Sequence, residues 1–412
     1  MVEGQVYPPD QEAAILTISI EADIEALVNA WIAHKEHMNV VVGVIQGGDR
    51  WVKGWNAATS SSATDLETDL PDGNTLFEIG SITKVFTATL LSLLVENQRL
   101  SLETPVNRLG SIYQQLPDTV TLESLATHTS GLPRLPDNLQ KSFTEDRQNP
   151  YAAYSFEDLH EYLQNQDRQP GETTGTISYS NLAAGVLGNI LADHCGQSYE
   201  EAIVQRICQP LGLQDTRITL SDKQQVRFVM GYSEDGKPAK PWDLPALAGA
   251  GALRSTANDL LTFLAAHLQP EQTSIAQVLL NTHPLRHQTF AQTKGFQWAL
   301  EKGAKWIRTL RGDLLAHQET GVALGWFMET LPNINRCVYT HAGGTGGYRS
   351  FCGFIKETQT GVVVLSNYGE LLAQMFGRYS IGNVGLKILE LASTTAPQRE
   401  IQRAGIGVQK SA

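Results

Sequence analysis

The sequence has few cysteines and no long uncharged apolar segment. Its 412 residues include only four cysteines, Cys195, Cys208, Cys337 and Cys352, which are too few for a disulfide scaffold. None of them forms a C-x-x-C pair, so a structural zinc site is not expected. No window of about 18 residues is apolar and free of charge, and the sequence therefore predicts no membrane span.

Charged residues are also scarce, and acidic residues outnumber basic ones. Asp, Glu, Lys and Arg make up 18% of the chain, whereas soluble domains have about 25%. The hydrophobic share of 42% is ordinary and excludes disorder as the main state. The formal net charge of −12 disfavours anionic partners such as nucleic acid or a phospholipid surface. We therefore expect a small-molecule or peptide substrate, and the sequence leaves the oligomeric state open.

The N-terminal segment lacks the pattern of a secretory signal. It has no basic region followed by an unbroken apolar core, because Glu3, Asp10, Glu12 and Glu21 interrupt it. We therefore expect a cytoplasmic protein, although a processed exported chain would show the same pattern.

Strand patterns occur at both ends of the chain, with helical patterns between them. An amphipathic helix is predicted at 20–35, and two strand-like runs meet at Gly47-Gly48 as in a hairpin. Near the C-terminus, three strand-like runs are found at 337–344, 348–356 and 360–369. A predicted helix follows them at 371–391. This arrangement predicts an α/β (α+β) fold, in which both chain ends build an antiparallel sheet flanked by helices. The expected units are a discontinuous α/β domain (1–75 and 295–395), an inserted mostly helical domain (76–294) and a polar tail (396–412).

Ser81 and Lys84 form the one Ser-x-x-Lys motif of the chain. On a helix, residues i and i+3 lie about 5–6 Å apart, so the amine can reach the hydroxyl. A serine hydroxyl becomes a good nucleophile when a neighbour accepts its proton, and burial lowers the pKa of a lysine enough for that role. The apolar run after Lys84 predicts such burial. By itself the motif also occurs by chance in a chain of this size.

Tyr179 and Asn181 form the one Tyr-x-Asn, in a loop just before a predicted helix. A phenol near a lysine ammonium ionises more readily, and we therefore expect Tyr179 to act as a general base and later to protonate a leaving group. Asn181 offers both an amide donor and a carbonyl acceptor. The alternative for Tyr179 is packing at the edge of the core.

A glycine-rich segment, His341-Ala-Gly-Gly-Thr-Gly-Gly347, follows a strand-like run. Glycines allow a substrate to lie close to the strand, and N–H groups there can stabilise an oxyanion. His341 would add a hydrogen-bond donor or a positive charge. The alternative is an ordinary hairpin loop. Neither a phosphate-binding G-x-x-x-x-G-K-[ST] nor a G-x-S-x-G motif is present.

In their order and separation, these three motifs resemble those of the serine β-lactamase and penicillin-binding-protein superfamily. The sequence is most similar to the class C β-lactamase-like branch, with its D,D-peptidases, D-aminopeptidases and β-lactamase-like esterases. Further similar stretches lie at 125–133, 249–264, 323–328 and 344–354. The resemblance covers about residues 20–392 and implies a β-lactamase-like fold.

The resemblance also implies roles for particular residues. Ser81 would be the acylated nucleophile, with Lys84 as its proton acceptor or electrostatic partner. Tyr179 would be the general base in acylation and would activate water in deacylation. Asn181 would hold the acyl amide of the substrate or the Lys84 side chain.

The same resemblance places the oxyanion hole and the substrate contacts on the glycine-rich segment. The backbone N–H groups of Ser81 and Gly344 would bind the oxyanion, and Gly343 would line the substrate. Arg349 would bind a substrate carboxylate or serve as a structural residue. β-Lactamases proper carry lysine at the position of His341, so histidine there favours the peptidase and esterase members.

These features predict a cofactor-free serine hydrolase that acts through an acyl-enzyme on ester, lactone or amide bonds. Because of His341 and the absent signal, we expect an esterase. The alternatives are a D,D-peptidase, a D-aminopeptidase or a β-lactamase, and a protein that binds penicillin or peptides without turnover. No metal site is expected, because the ten histidines lack an H-E-x-x-H context, and His128 is expected to be a structural hydrogen-bonding residue.

One cysteine pairing follows from the hairpin. If His341 pairs with Tyr348 across it, Cys337 faces Cys352 on the adjacent strand. We expect both thiols to be reduced and buried, as is usual for cytosolic proteins.

Overall fold

A computed structural model describes residues 9–57, 70–165, 175–290, 319–369 and 380–394. Numbered along the chain, its strands are β1 (Asn39–Gln46), β2 (Asp49–Asn56), β3 (Phe77–Glu78), β4 (Gly231–Tyr232), β5 (Pro238–Ala239), β6 (Arg254–Ser255), β7 (His287–Phe290), β8 (Glu319–Val322), β9 (Phe327–Leu331), β10 (Arg336–Gly344), β11 (Arg349–Ile355) and β12 (Thr360–Ser366). Eight of them form one antiparallel sheet in the order β2-β1-β12-β11-β10-β9-β8-β7. The short pairs β3-β6 and β4-β5 lie outside it.

Helices fill most of the chain between the two groups of sheet strands. In order they are α1 (Pro9–Ile32), α2 (Thr83–Glu96), α3 (Leu122–Ala126), α4 (Gln140–Glu145), α5 (Phe156–Gln164), α6 (Asn181–Cys195), α7 (Tyr199–Ile203), α8 (Gln209–Leu211), α9 (Asp222–Gln225), α10 (Ala248–Gly251), α11 (Ala257–Leu268), α12 (Ala276–Leu280) and α13 (Ile381–Thr394). A π-helical turn joins α7 to α8. A 3₁₀ turn at Gly80–Ile82 leads into α2.

The predicted fold class is confirmed, because strands from both chain ends form a large antiparallel sheet in a mixed α/β protein. The hairpin at Gly47-Gly48 is present, and both glycines have positive φ angles, of 58° and 106°, as a tight turn between β1 and β2 requires. The helix predicted at 371–391 is α13 where the structure describes it. Residues 370–379 and the tail at 396–412 lie outside the described residues. The division into domains stays a prediction.

The neighbouring strands β1 and β12 are buried on both faces of the sheet, which explains why their interiors are almost continuously apolar. Along β1, Val41 and Ile45 join the main core that contains α2, α6 and α11. Val40 and Val42 point the other way, into a second core with α1 and α13. The sheet therefore separates two hydrophobic layers, and the larger one supports α2 and the Ser81 turn.

The predicted facing of Cys337 and Cys352 is wrong. Cys352 pairs with His341 on β10, and Cys337 pairs with Thr330 on β9. All four cysteines are free thiols; Cys352 is buried and Cys337 is half-buried.

The pairing differs because β10 and β11 continue further than expected before the chain turns. Gly344 still pairs with Arg349, and the turn spans Thr345 to Tyr348. The Thr345 N–H donates to the Tyr348 carbonyl at 3.0 Å and closes this turn. The prediction placed the turn too early, which shifted every pair along the hairpin.

Among the described helices, none has the length and apolar character needed to cross a membrane.

Candidate active site

Ser81 lies in the 3₁₀ turn that precedes α2. Gly80, just before it, has a φ of +47°, a conformation that L side chains rarely adopt. The turn directs the half-buried Ser81 hydroxyl toward the start of the helix, where the first backbone N–H groups have no helical acceptor. This position favours negative charge on the serine oxygen.

Lys84, the second residue of α2, has its amine surrounded by three oxygen atoms. Its Nζ lies 2.9 Å from Ser81 Oγ, 2.8 Å from Asn181 Oδ1 and 2.7 Å from the Ala250 carbonyl oxygen. Only 4% of the residue is exposed. The amine is therefore held against the serine hydroxyl by acceptors from α6 and α10.

The surroundings of Lys84 favour its neutral form. Burial, and secondarily the positive charge of Arg134, hold its pKa well below the usual value of 10.5. A neutral amine has two N–H donors and one lone pair. The two carbonyl oxygens match the two donors, which leaves the lone pair for the Ser81 hydroxyl proton.

Tyr179 lies between Lys84 and the strand β10. The centre of the Tyr179 ring lies 4.8 Å from Lys84 Nζ and 6.4 Å from the centre of the His341 ring. Burial raises the pKa of Tyr179 to about 12, although a hydrogen bond with Ser81 and the charge of Arg134 act in the opposite direction. This overturns the expectation of an easily ionised phenol, because burial outweighs the interactions that lower the pKa of Tyr179.

Asn181 is placed by the start of α6. The preceding residue, Ser180, caps the helix by accepting the Ala183 N–H at 2.9 Å, and it donates to the Pro133 carbonyl at 2.7 Å. The Asn181 N–H donates to the Arg134 carbonyl at 3.0 Å. The cap therefore fixes the orientation in which the Asn181 amide meets Lys84.

His341 lies on β10 and is buried, with 3% of its surface exposed. Burial, and next the Lys84 amine, lower its pKa to about 3, so it is neutral at physiological pH. Its Nδ1 is 2.9 Å from the Ala342 carbonyl oxygen, which makes Nδ1 the protonated nitrogen. His341 was expected to add either a hydrogen-bond donor or a positive charge, and the lowered pKa argues against the charge. Its Nε2 atom has no partner among the described residues.

Gly343 and Gly344 bring β10 against the serine turn. A Cβ atom at Gly343 would lie 2.0 Å from the Ile79 carbonyl oxygen, and one at Gly80 would lie 2.6 Å from the Gly344 nitrogen. The neighbouring strand β9 pairs with β10 only as far as Thr340, so the glycines face the serine turn instead. Only glycine permits this approach of the two backbones.

Arg349 is turned away from a substrate role. It is buried, and its Nη1 donates to the carbonyl oxygens of Thr345 and Tyr348 at 2.6 and 2.7 Å. These bonds close the turn between β10 and β11. The structure therefore favours the structural alternative for this residue.

The structure brings Ser81, Lys84, Tyr179, Asn181, His341, Gly343 and Gly344 together. It adds three contributors that the sequence analysis missed or treated only as structural: the carbonyl of Ala250, the ring of Phe327, whose centre lies 5.5 Å from that of His341, and His128. The His128 ring packs 4.5 Å from that of Tyr179, and its Nδ1 accepts the Ser180 N–H at 3.2 Å. A backbone carbonyl leaves no side-chain signature, and for His128 the signal was the LATHTSGLP stretch alone.

In the described part of the chain, no group of three metal-ligating side chains is placed to hold an ion.

Comparison with known proteins identifies what the chain is similar to. Residues 24–378 match the family described as Beta-lactamase. A beta-lactamase of Pseudomonas fluorescens is 25% identical over 354 residues, which span 84% of this chain and 92% of that protein. A beta-lactamase of Lysobacter lactamgenus is 26% identical over 372 residues, spanning 89% and 90%.

Solved structures share the fold at lower sequence identity. A class C beta-lactamase superposes with a TM-score of 0.70 and 21% identity over 90% of this chain and 96% of its own. A beta-lactamase/D-alanine carboxypeptidase from Pseudomonas syringae gives a TM-score of 0.70 and 19% identity over 92% and 99%. These likenesses confirm the β-lactamase-like fold that the motifs imply.

Proposed function

The chain belongs to the Beta-lactamase family, and from this premise we propose that it hydrolyses esters through an acyl-enzyme on Ser81. Membership supports a serine hydrolase, and the proposal concerns which residues act and on which bond. The observation that carries it is the 2.9 Å contact between Ser81 Oγ and the buried Lys84 amine, whose pKa is lowered. A neutral amine at that distance accepts the serine proton as the hydroxyl attacks.

The proton movements of acylation follow from the two shifted pKa values. Ser81 Oγ bonds to the substrate carbonyl carbon and passes its proton to Lys84. The backbone N–H groups of Ser81 and Gly344 stabilise the oxyanion. Because the pKa of Tyr179 is about 12, the phenol keeps its proton until the leaving group needs it. The carbon–oxygen bond of the ester then breaks, and the alkoxide leaves with the proton of Tyr179.

Deacylation returns both protons. Water attacks the acyl carbon and gives a proton to the Tyr179 phenolate. The bond to Ser81 breaks, and its oxygen recovers the proton that Lys84 carries as an ammonium. The Asn181 and Ala250 oxygens, at 2.8 and 2.7 Å, hold that ammonium while the acyl-enzyme exists. Each residue ends in its starting form, so no cofactor is required.

Ester substrates are favoured over β-lactams by the charge on the β10 side of the site. Neutral His341 offers no cation there, and the Arg349 guanidinium bonds to the carbonyls of its own hairpin. A β-lactam carries a carboxylate that benefits from a positive charge near the strand. The second candidate, hydrolysis of β-lactams or D-alanyl peptides, is favoured by the names of the relatives.

The test is a substrate panel given to the purified full-length protein. The panel comprises a 4-nitrophenyl short-chain ester, a chromogenic cephalosporin, a D-Ala-D-Ala peptide and a labelled penicillin. Turnover of the ester that is lost in Ser81→Ala, but retained in the exposed control Ser111→Ala, supports the proposal. Faster cephalosporin or peptide turnover supports the second candidate. Stoichiometric penicillin labelling without turnover indicates a binding protein, and full activity of Ser81→Ala excludes this nucleophile.

A further inference from the structure

Arg134 places a cation beside the proposed catalytic residues. Its guanidinium carbon lies 5.1 Å from the centre of the Tyr179 ring, and the residue is exposed. Apart from this ring contact, its side chain has no hydrogen-bond or ion-pair partner among the described residues. None of its five N–H donors is engaged by a described residue, and a guanidinium in this state can bind a ligand.

The backbone of Arg134 is fixed although its side chain is exposed. Its carbonyl accepts the N–H groups of Asn181 and Leu182, at 3.0 and 3.3 Å, where α6 begins. Ser180 also donates to the carbonyl of the preceding residue, Pro133. The guanidinium is thus tethered to the element that carries Asn181, which limits the positions that it can occupy.

The charge of Arg134 acts on the reacting groups. It contributes, after burial, to the lowered pKa of Lys84, and it opposes the burial that raises the pKa of Tyr179. Lys84 Nζ and the Arg134 guanidinium carbon lie 4.8 and 5.1 Å from the centre of the same Tyr179 ring, so the charge acts over a short distance. Burial favours the neutral forms of Lys84 and His341, and Arg349 is bonded within its hairpin. In the described part of the site, Arg134 is therefore the residue that holds a permanent positive charge beside the Tyr179 ring.

We propose that Arg134 binds a carboxylate on the acyl part of the substrate. This inference rests on the proposed function, and the backbone of Arg134 is bonded to Asn181, the residue that the sequence resemblance places against the acyl part of the substrate. A planar guanidinium pairs with a carboxylate through two parallel hydrogen bonds. On the β10 side, the absence of a free cation in the described residues suits an uncharged leaving group. The substrate class is a monoester of a dicarboxylic acid.

The test compares two esters that differ only in this charge. Mono-4-nitrophenyl adipate carries the carboxylate, and its methyl ester is the neutral counterpart; both release 4-nitrophenolate. We expect the kcat/KM ratio, anionic over neutral, to fall about tenfold in Arg134→Ala. Arg134→Lys should retain part of the ratio, and Arg134→Glu should lower it further. The ratio cancels any change in the pKa of Lys84, because both esters use the same amine.

A matched control is Arg99→Ala, an exposed arginine beyond the far end of α2, about 20 Å along the helix from Lys84. It should leave the ratio unchanged. Added salt should reduce the ratio of the unmodified protein, since screening weakens an exposed ion pair. A ratio that is the same in Arg134→Ala, Arg134→Glu and the unmodified protein would overturn the inference while ester hydrolysis stands. If the unmodified protein hydrolyses neither ester, the proposed function fails, and this inference fails with it.

Discussion

Lys84 Nζ lies 2.8 Å from Asn181 Oδ1, although the two residues are 97 positions apart in the chain. The amide oxygen accepts a hydrogen bond without carrying a full negative charge. It therefore orients the amine but leaves burial free to keep the pKa of Lys84 low. With asparagine rather than aspartate at this position, burial remains the main influence on the protonation state of the proposed base.

Asn181→Asp should shift the pH dependence of ester hydrolysis. A carboxylate at this distance favours the ammonium form and raises the pKa of Lys84 by about one to three units. Because the neutral amine is the active form, the acid limb of kcat/KM should move to higher pH by the same amount. Activity should recover in alkaline buffer. The profile is measured with a 4-nitrophenyl ester, and Asn97→Asp, which adds the same charge at the far end of α2, should keep the original limb. An unshifted limb in Asn181→Asp would contradict the role of Lys84 as base.

Tyr179→Phe should slow the hydrolysis of esters according to their leaving groups. Removing the phenol removes the proposed proton donor, whose pKa of about 12 keeps it protonated. An alkyl alkoxide needs that proton and a 4-nitrophenolate does not. We expect kcat/KM for an ethyl ester to fall about 10²–10⁴-fold, with a much smaller loss for the 4-nitrophenyl ester. Equal losses for both esters would indicate a role in binding or packing instead.

Much of the site could be predicted because local spacing determines it. Ser81 and Lys84 are one helical turn apart, so the helix itself brings them to 2.9 Å. The nearly continuous apolar character of β1 and β12 similarly follows from their burial on both faces of the sheet. These features depend on a few consecutive residues, and sequence patterns record them well.

The parts that could not be predicted depend on burial and on the length of one turn. Tyr179 was expected to ionise easily and has a raised pKa, because its degree of burial is a property of the packed core. The hairpin register depended on whether the chain turned at Gly344 or after it, and the glycine-rich segment permits both. The Ala250 carbonyl contributes through its backbone, which any residue type can supply.

A pair of buried histidines should make the protein sensitive to acid. His267 Nδ1 lies 2.8 Å from His283 Nε2, in a core with Trp326 and Phe354. Burial lowers the pKa of His283 to about 3 and that of His267 well below its usual value. The unfolded chain therefore binds more protons below about pH 6.5. The free energy of unfolding should fall as the pH drops through this range, by about 2 kcal/mol at pH 5 from His283 alone.

Urea unfolding between pH 5 and pH 8 measures this slope. His283→Gln removes one titrating ring, keeps a hydrogen-bond acceptor for His267, and should lower the slope. The remaining slope comes from the other buried histidines with lowered pKa values, His128, His267 and His341. Ser111→Ala retains these rings and should match the unmodified protein. If the slope is unchanged in His283→Gln, the pKa of His283 is the same in the folded and unfolded chains.

Gly343→Ala tests whether the close approach of β10 to the serine turn is required for the reaction. The added Cβ would lie 2.0 Å from the Ile79 carbonyl oxygen and 2.9 Å from the Ser81 nitrogen, so β10 must move away from the serine turn. A displacement of about 1 Å at the oxyanion donors is expected to lower the acylation rate about 10²-fold. The free energy of unfolding should fall by about 1–3 kcal/mol, as is usual for overpacking. The control is Gly382→Ala in α13, where nothing lies within 4 Å of the new Cβ, and alanine there should retain activity and stability. If Gly343→Ala acylates at the rate of the unmodified protein in a stopped-flow burst, the close approach of these two backbones is not required for the reaction.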